Sequence, residues 1–129
     1  MPFKFETLEV WKLSLEYIDM IYSIAERLPH SEEFNLKSQI IRSATSIALN
    51  IAEGSTSQSD TEFRRFVGIS IRSLIETIAC LHLIERRSYI DPEKLKETCN
   101  FGEQLFAKLQ ALRRSLSAKR RTADRRLRT

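Results

Sequence analysis

Apolar side chains return every third or fourth residue along nearly the whole chain, and only a few short polar or proline-marked stretches interrupt that rhythm. A period near 3.6 gathers such residues on one face of a helix, whereas a half-buried strand would need strict alternation. The pattern therefore predicts amphipathic helices. Three glycines and three prolines in 129 residues leave little material for the tight turns of a sandwich or barrel. One domain is expected at this length, large enough to bury a core without disulfide or metal staples.

The first helix is expected from Glu6 to Leu28, closed by Pro29. One apolar stripe runs through Leu8, Trp11, Leu15, Ile18, Tyr22 and Ala25, and a second through Val10, Leu13, Tyr17, Ile21, Ile24 and Leu28. That arc is wider than one bundle core consumes, which leaves apolar surface for another subunit. The second helix begins at Asn35, a good N-cap residue, and is expected to stop at Gly54 in a left-handed conformation. Ser59 and Glu62 have the spacing of a capping box at the start of the third helix, which carries Phe63, Phe66, Val67, Leu74, Ile78 and Leu81 inward to about Arg87. Asp91-Pro92-Glu93 opens the fourth, with Leu95, Cys99, Phe106, Leu109, Leu112 and Leu116 inward. Short links between such helices predict an all-α fold, an up-down-up-down four-helix bundle of antiparallel neighbours over residues 1–117.

The net charge of +4 is unevenly placed. Lys119, Arg120, Arg121, Arg125, Arg126 and Arg128 against Asp124 give residues 118–129 a charge of +5, so residues 1–117 hold −1. A basic C-terminal tail of this kind is either a polyanion contact or a solvated terminus. No apolar run reaches the roughly 18 residues of a membrane span, and the charged opening MPFKFETLEVW is unlike a signal peptide. No membrane contact and a cytoplasmic location are expected. Cys80 and Cys99, set within helical patterns, are expected to be free thiols.

Little in the chain names a reaction. Neither His30 nor His82 follows a glutamate at the spacing a di-metal bundle site uses, and the stretch Gly54-Ser-Thr-Ser-Gln-Ser lacks the lysine of a phosphate loop. No catalytic set, metal or cofactor is expected. On the second helix Gln39, Ser43, Ser46, Asn50 and Glu53 recur at helical steps as one polar stripe. It reads as a solvated face, a seam of close packing or a partner surface, and Ser70, Ser73 and Thr77 form a similar row on the third helix that would allow hydrogen-bonded contact if the two faced each other. Arg42 and Glu53 lie too far apart along one helix to pair except through a neighbouring chain. Arg64, Arg65 and Arg72 have acids nearby for ordinary charge pairing, and they are also candidate phosphate contacts.

The run SQIIRSATSIALNIAEG from Ser38 to Gly54, then EFRRFVGISIRSLIET from Glu62 to Thr77, resembles the four-helix-bundle family encoded in intervening sequences of bacterial large-subunit ribosomal RNA genes. The opening FETLEVWK, Phe5 to Lys12, resembles that family's start. Ala48 stands where a proline is common and Arg72 where a glycine often precedes Ser-Leu, and the tail is not part of the pattern. The resemblance implies a small all-α protein assembled as a ring, typically a homopentamer, with no catalytic residues assigned. It also implies a distant similarity to the accessory bundle protein of diversity-generating retroelements, a positively charged pentamer that binds nucleic acid and a reverse transcriptase.

The function expected on these grounds is non-enzymatic: an oligomeric bundle contacting RNA or DNA phosphates through Arg113, Arg114, Lys119, Arg120, Arg121, Arg125, Arg126 and Arg128. The alternative is a scaffold that docks a partner protein on the polar stripe of the second helix or the spare apolar arc of the first, without a direct nucleic-acid role.

Overall fold

The computed structural model describes residues 3–128, with side chains described through Ser117. Four helices carry the chain: α1 (Glu9–Ala25), α2 (Leu36–Ser55), α3 (Asp60–Arg86) and α4 (Pro92–Arg128), with short 3-10 turns at Lys4–Thr7 and His30–Glu32. There is no strand among the described residues. In the bundle α1 borders α2 and α4, and α3 borders the same two, while among the described residues the diagonal pairs are not neighbours. This is the expected all-α four-helix bundle.

The first helix starts later than its apolar period predicts. Leu8 is extended, with φ −75° and ψ 133°, and separates the 3-10 turn from α1. Of the two stripes on α1, the second forms the core, with Tyr17, Ile21 and Ile24 fully buried. In the first, Leu15 and Tyr22 stay 42% and 43% exposed, so the arc exceeds what this core covers.

Gly54 does not stop α2 in a left-handed turn. No glycine has positive φ among the described residues, and the helix continues through Ser55. The hydroxyls of Thr56 and Ser57 donate instead to the carbonyls of Glu53 (2.8 Å) and Gly54 (2.5 Å), satisfying the terminal acceptors without a left-handed residue. The glycine is needed for proximity. A Cβ there would lie 2.6 Å from Phe66 Cβ and 3.0 Å from Phe63 Cδ1, so its absence lets α3 close on α2.

Asn35 does precede α2, yet its side chain caps nothing. Its amide donates to Glu32 Oε1 at 3.1 Å and its carbonyl oxygen accepts from Gln39 Nε2 at 2.8 Å. Ser59 Oγ does accept from the Glu62 backbone N–H at 3.1 Å, while the Glu62 carboxylate turns to Arg65 rather than completing the box. Asp91 Oδ1 accepts from Glu93 N–H at 3.0 Å, with Pro92 as the first residue of α4. The left-handed residue that sequence reading placed at Gly54 falls at Ser88, φ 58°, just past α3. There Ser88 N–H donates to Glu85 O at 3.0 Å and Tyr89 N–H to Ile84 O at 3.5 Å, the pairing that closes a helix around such a residue.

Contrary to the expectation that no stretch is apolar enough, α3 contains an 18-residue window of mean hydropathy 1.6, enough by length and composition to cross a membrane. Its inner face packs in the bundle, and Ser70 and Thr77 hydrogen bond toward α2. Cys80 is a buried free thiol and Cys99 a half-buried one; burial pushes both upward from the ordinary thiol range, so they are held as neutral thiols.

Candidate nucleic-acid interface

The polar row of α2 and that of α3 meet. Ser43 Oγ lies 2.7 Å from Thr77 Oγ1, Ser46 Oγ lies 2.9 Å from Ser73 Oγ, and Ser70 Oγ donates to the Ile47 carbonyl at 2.9 Å. Asn50 turns its amide to the Ser46 carbonyl at 2.9 Å. Small residues bring the two backbones together and the hydroxyls satisfy one another, so the stripe is consumed inside the chain. Its flanks, Gln39 and Glu53, remain exposed. Arg42, considered as a partner of Glu53 across chains, pairs within the chain with Glu76 Oε2 at 2.7 Å.

Removing that stripe from the candidate surfaces leaves the furrow between α3 and α4. Because these helices run antiparallel, the first turns of α3 lie beside the later turns of α4, and Arg64 Nε donates to Ser117 Oγ across the pair. One groove of about 660 Å³ is lined by Arg64, Phe106, Ala107, Gln110, Arg113, Arg114 and Ser117. A second, of about 630 Å³, shares Arg64, Phe106, Gln110 and Arg113 with it and continues along α3 past Arg65, Gly68, Ile69, Arg72 and Ile75. Together they bring five arginines to one track.

Most of the charge of that track has no acidic partner among the described residues. Neither lining contains an aspartate or glutamate. Among the described residues Arg65 alone of the five reaches a carboxylate, Glu62 at 3.1 Å, and its guanidinium also lies over the Phe66 ring at 4.7 Å. The expectation of ordinary charge pairing thus holds for Arg65 and not for Arg64 or Arg72. The adjoining face, across α4, has the reverse character: grooves between α1 and α4 are lined by Glu16 and Glu97, and by Asp19 and Glu97 with Lys94. Arginine guanidiniums keep their charge at any physiological pH and present forked donors that match phosphate oxygens.

Arg113 and Arg114, chosen from sequence as contacts, both line the first groove. The side chains of Lys119, Arg120, Arg121, Arg125, Arg126 and Arg128 lie outside the described residues. The sequence singles out Arg64, Arg65 and Arg72 but carries no sign that they join Arg113 and Arg114. Their steps on α3 place them along one flank, yet which α4 residues stand opposite depends on the offset between the helices, and no local pattern encodes that offset. Among the described residues no three His, Cys, Asp or Glu side chains gather as a metal site would require.

Comparison with known proteins came down on the same architecture. The model of the 23S rRNA-intervening sequence protein family matches residues 6–111, a span that includes Arg64, Arg65 and Arg72 and ends just before Arg113. A crystal structure of a protein of unknown function from the S23 ribosomal protein family of Bacteroides thetaiotaomicron is 31% identical, with a TM-score of 0.74 over 80% of this chain and 96% of that one. No curated protein matches this chain.

Proposed function

The chain belongs to the 23S rRNA-intervening sequence protein family, and from that premise we propose that it is a non-enzymatic, homo-oligomeric bundle that binds RNA or DNA through phosphate contacts. The observation that carries this reading is the arginine track of Arg64, Arg65, Arg72, Arg113 and Arg114 between α3 and α4, whose groove linings hold no carboxylate and in which only Arg65 pairs with an acid among the described residues. Phosphate oxygens are the ligand such a surface suits, and the six basic residues beyond Ala118 extend the same charge along the chain. The homo-oligomer, a pentamer by resemblance to the family, multiplies the effect by presenting several tracks to one polyanion.

The competing reading, a protein-docking scaffold, is weakened on the α2 stripe, whose Ser43 and Ser46 hydroxyls are engaged by α3 while Gln39 and Glu53 stay exposed. It keeps the exposed Leu15 and Tyr22 of α1.

The test is binding of labelled RNA and DNA over a salt series. For duplex DNA log K falls with log salt at about 0.9 per phosphate neutralised, so Arg113→Gln with Arg114→Gln, and deletion of residues 118–129, each flatten the slope and weaken binding. An intact protein that binds neither polymer at low salt ends the proposal, and a native mass equal to one chain ends its oligomeric part.

A further inference from the structure

Gly68 sits in the interior of α3, where glycine costs roughly 1 kcal/mol of helix stability relative to alanine. Nothing among the described residues explains it. A Cβ built there meets no atom within 4 Å, in contrast to Gly54 and Gly102, whose missing side chains admit Phe66 and Tyr17. The bare position opens onto the 630 Å³ groove, on the same flank as Ile75 two helical turns along, which is 52% exposed, and the half-buried Phe106 of α4 lines the same groove. The groove therefore has an apolar floor around Gly68 and arginines at Arg64, Arg65, Arg72 and Arg113.

A duplex does not match this shape. Its phosphates lie on the outside of a stiff cylinder and its base faces are stacked away, so an interhelical furrow reaches only the backbone. A single strand offers both chemistries at once, phosphates for the rim and a free base face for the floor. Binding of this kind tolerates many sequences, since every base has such a face.

We propose that the α3/α4 groove seats a single-stranded polynucleotide, with phosphates on the rim arginines and one unstacked base over the floor formed by Gly68, Ile75 and Phe106. The proposal rests on the phosphate-binding reading above and narrows it to a strand class.

The experiment compares one labelled sequence as single-stranded RNA, single-stranded DNA and duplex against the intact protein, Gly68→Leu and Ile75→Ser. Leucine is a good helix former and position 68 is open, and Ile75 is half-exposed, so both variants retain the helical spectrum and the native assembly mass. Each is expected to lower affinity for both single strands roughly tenfold, the order that loss of one stacked base brings, and to change duplex affinity by less than about twofold. Unchanged single-strand affinity in both variants, with Arg113→Gln still weakening every polymer, overturns the groove assignment and leaves the phosphate reading standing. A changed assembly mass in Gly68→Leu also overturns it, because the groove is then a contact between copies. Absence of binding to all three polymers overturns both readings together.

Discussion

Ser43 of α2 and Thr77 of α3 share a hydrogen bond of 2.7 Å with both residues essentially shielded from solvent, at 1% and 0% exposure. Each hydroxyl has one proton, so only one of them can donate to the other. Thr77 Oγ1 lies 2.9 Å from the Ser73 carbonyl and Ser43 Oγ lies 3.2 Å from the Ile40 carbonyl. The shorter backbone contact favours Thr77 donating to Ser73 and Ser43 donating to Thr77. Removing Thr77 leaves Ser43 only its longer contact with the Ile40 carbonyl, and removing Ser43 takes from Thr77 Oγ1 the hydrogen bond it accepts. Ser43→Ala and Thr77→Val are each expected to cost about 1–3 kcal/mol. The double variant should cost less than the sum, by a coupling of about 0.5–3 kcal/mol measured in denaturant. Strict additivity would mean that the two hydroxyls do not interact.

The three glycines predict opposite outcomes for one substitution. Gly54→Ala drives a Cβ to 2.6 Å from Phe66 Cβ, close to backbone that cannot swing aside, and is expected to lose about 1–3 kcal/mol. Gly102→Ala meets the fully buried Tyr17 hydroxyl at 2.8 Å and is also destabilising. Part of that loss returns in a Tyr17→Phe background, which removes the clashing oxygen. Gly68→Ala meets nothing and is expected to gain roughly 1 kcal/mol from helix propensity. Thermal midpoints of the four variants check the order.

Ser88 adopts φ 58° where a glycine would pay no steric penalty. Ser88→Gly keeps the closing hydrogen bonds of α3 and relieves a strain of about 1–2 kcal/mol, offset in part by the larger entropy of the unfolded glycine. A net gain of about 0.5–1 kcal/mol in denaturant midpoint analysis is expected, and Ser88→Val should lose stability instead.

Tyr89 Oη donates to Glu32 Oε2 at 2.9 Å and clips the α3–α4 turn to the 3-10 turn before α2. That bond, helped by Asn35, holds the Glu32 carboxyl below the ordinary glutamate range, and the same bond raises the Tyr89 phenol. A lowered acid contributes stability above its unfolded value that is lost as pH falls through the folded one. A raised phenol contributes stability below its unfolded value that is lost as pH rises through the folded one. Stability is therefore expected to decline at both acidic and alkaline extremes, with Tyr89→Phe weakening both limbs and Glu32→Gln flattening the acid limb. Denaturation midpoints across pH check this, and an unchanged profile in Tyr89→Phe would show that the clip contributes nothing.

Much of the fold is legible in single residues and their spacing. The heptad-like return of Ile40, Ile47 and Ile51, or of Val67, Leu74 and Leu81, is enough to predict helices and their inner faces, and all six are fully buried. Asp91-Pro92 and Ser59 mark helix starts because a cap acts within a few residues of itself. Gly54 illustrates the limit. A glycine at a helix end satisfies either a left-handed turn or a close neighbour, and the difference lies in Phe66, on another helix.

The candidate site divides the same way. Periodicity and composition alone determined an all-α bundle, the arginines on α3 and α4, and the basic run beyond Ala118, because each follows from residues close together in the chain. Only the tertiary structure decided that the serine rows of α2 and α3 face each other, and that Arg64, Arg65 and Arg72 share a furrow with Arg113 and Arg114. Those pairings depend on the axial offset and rotation of packed helices, which are set by how side chains from distant segments interlock rather than by any local period.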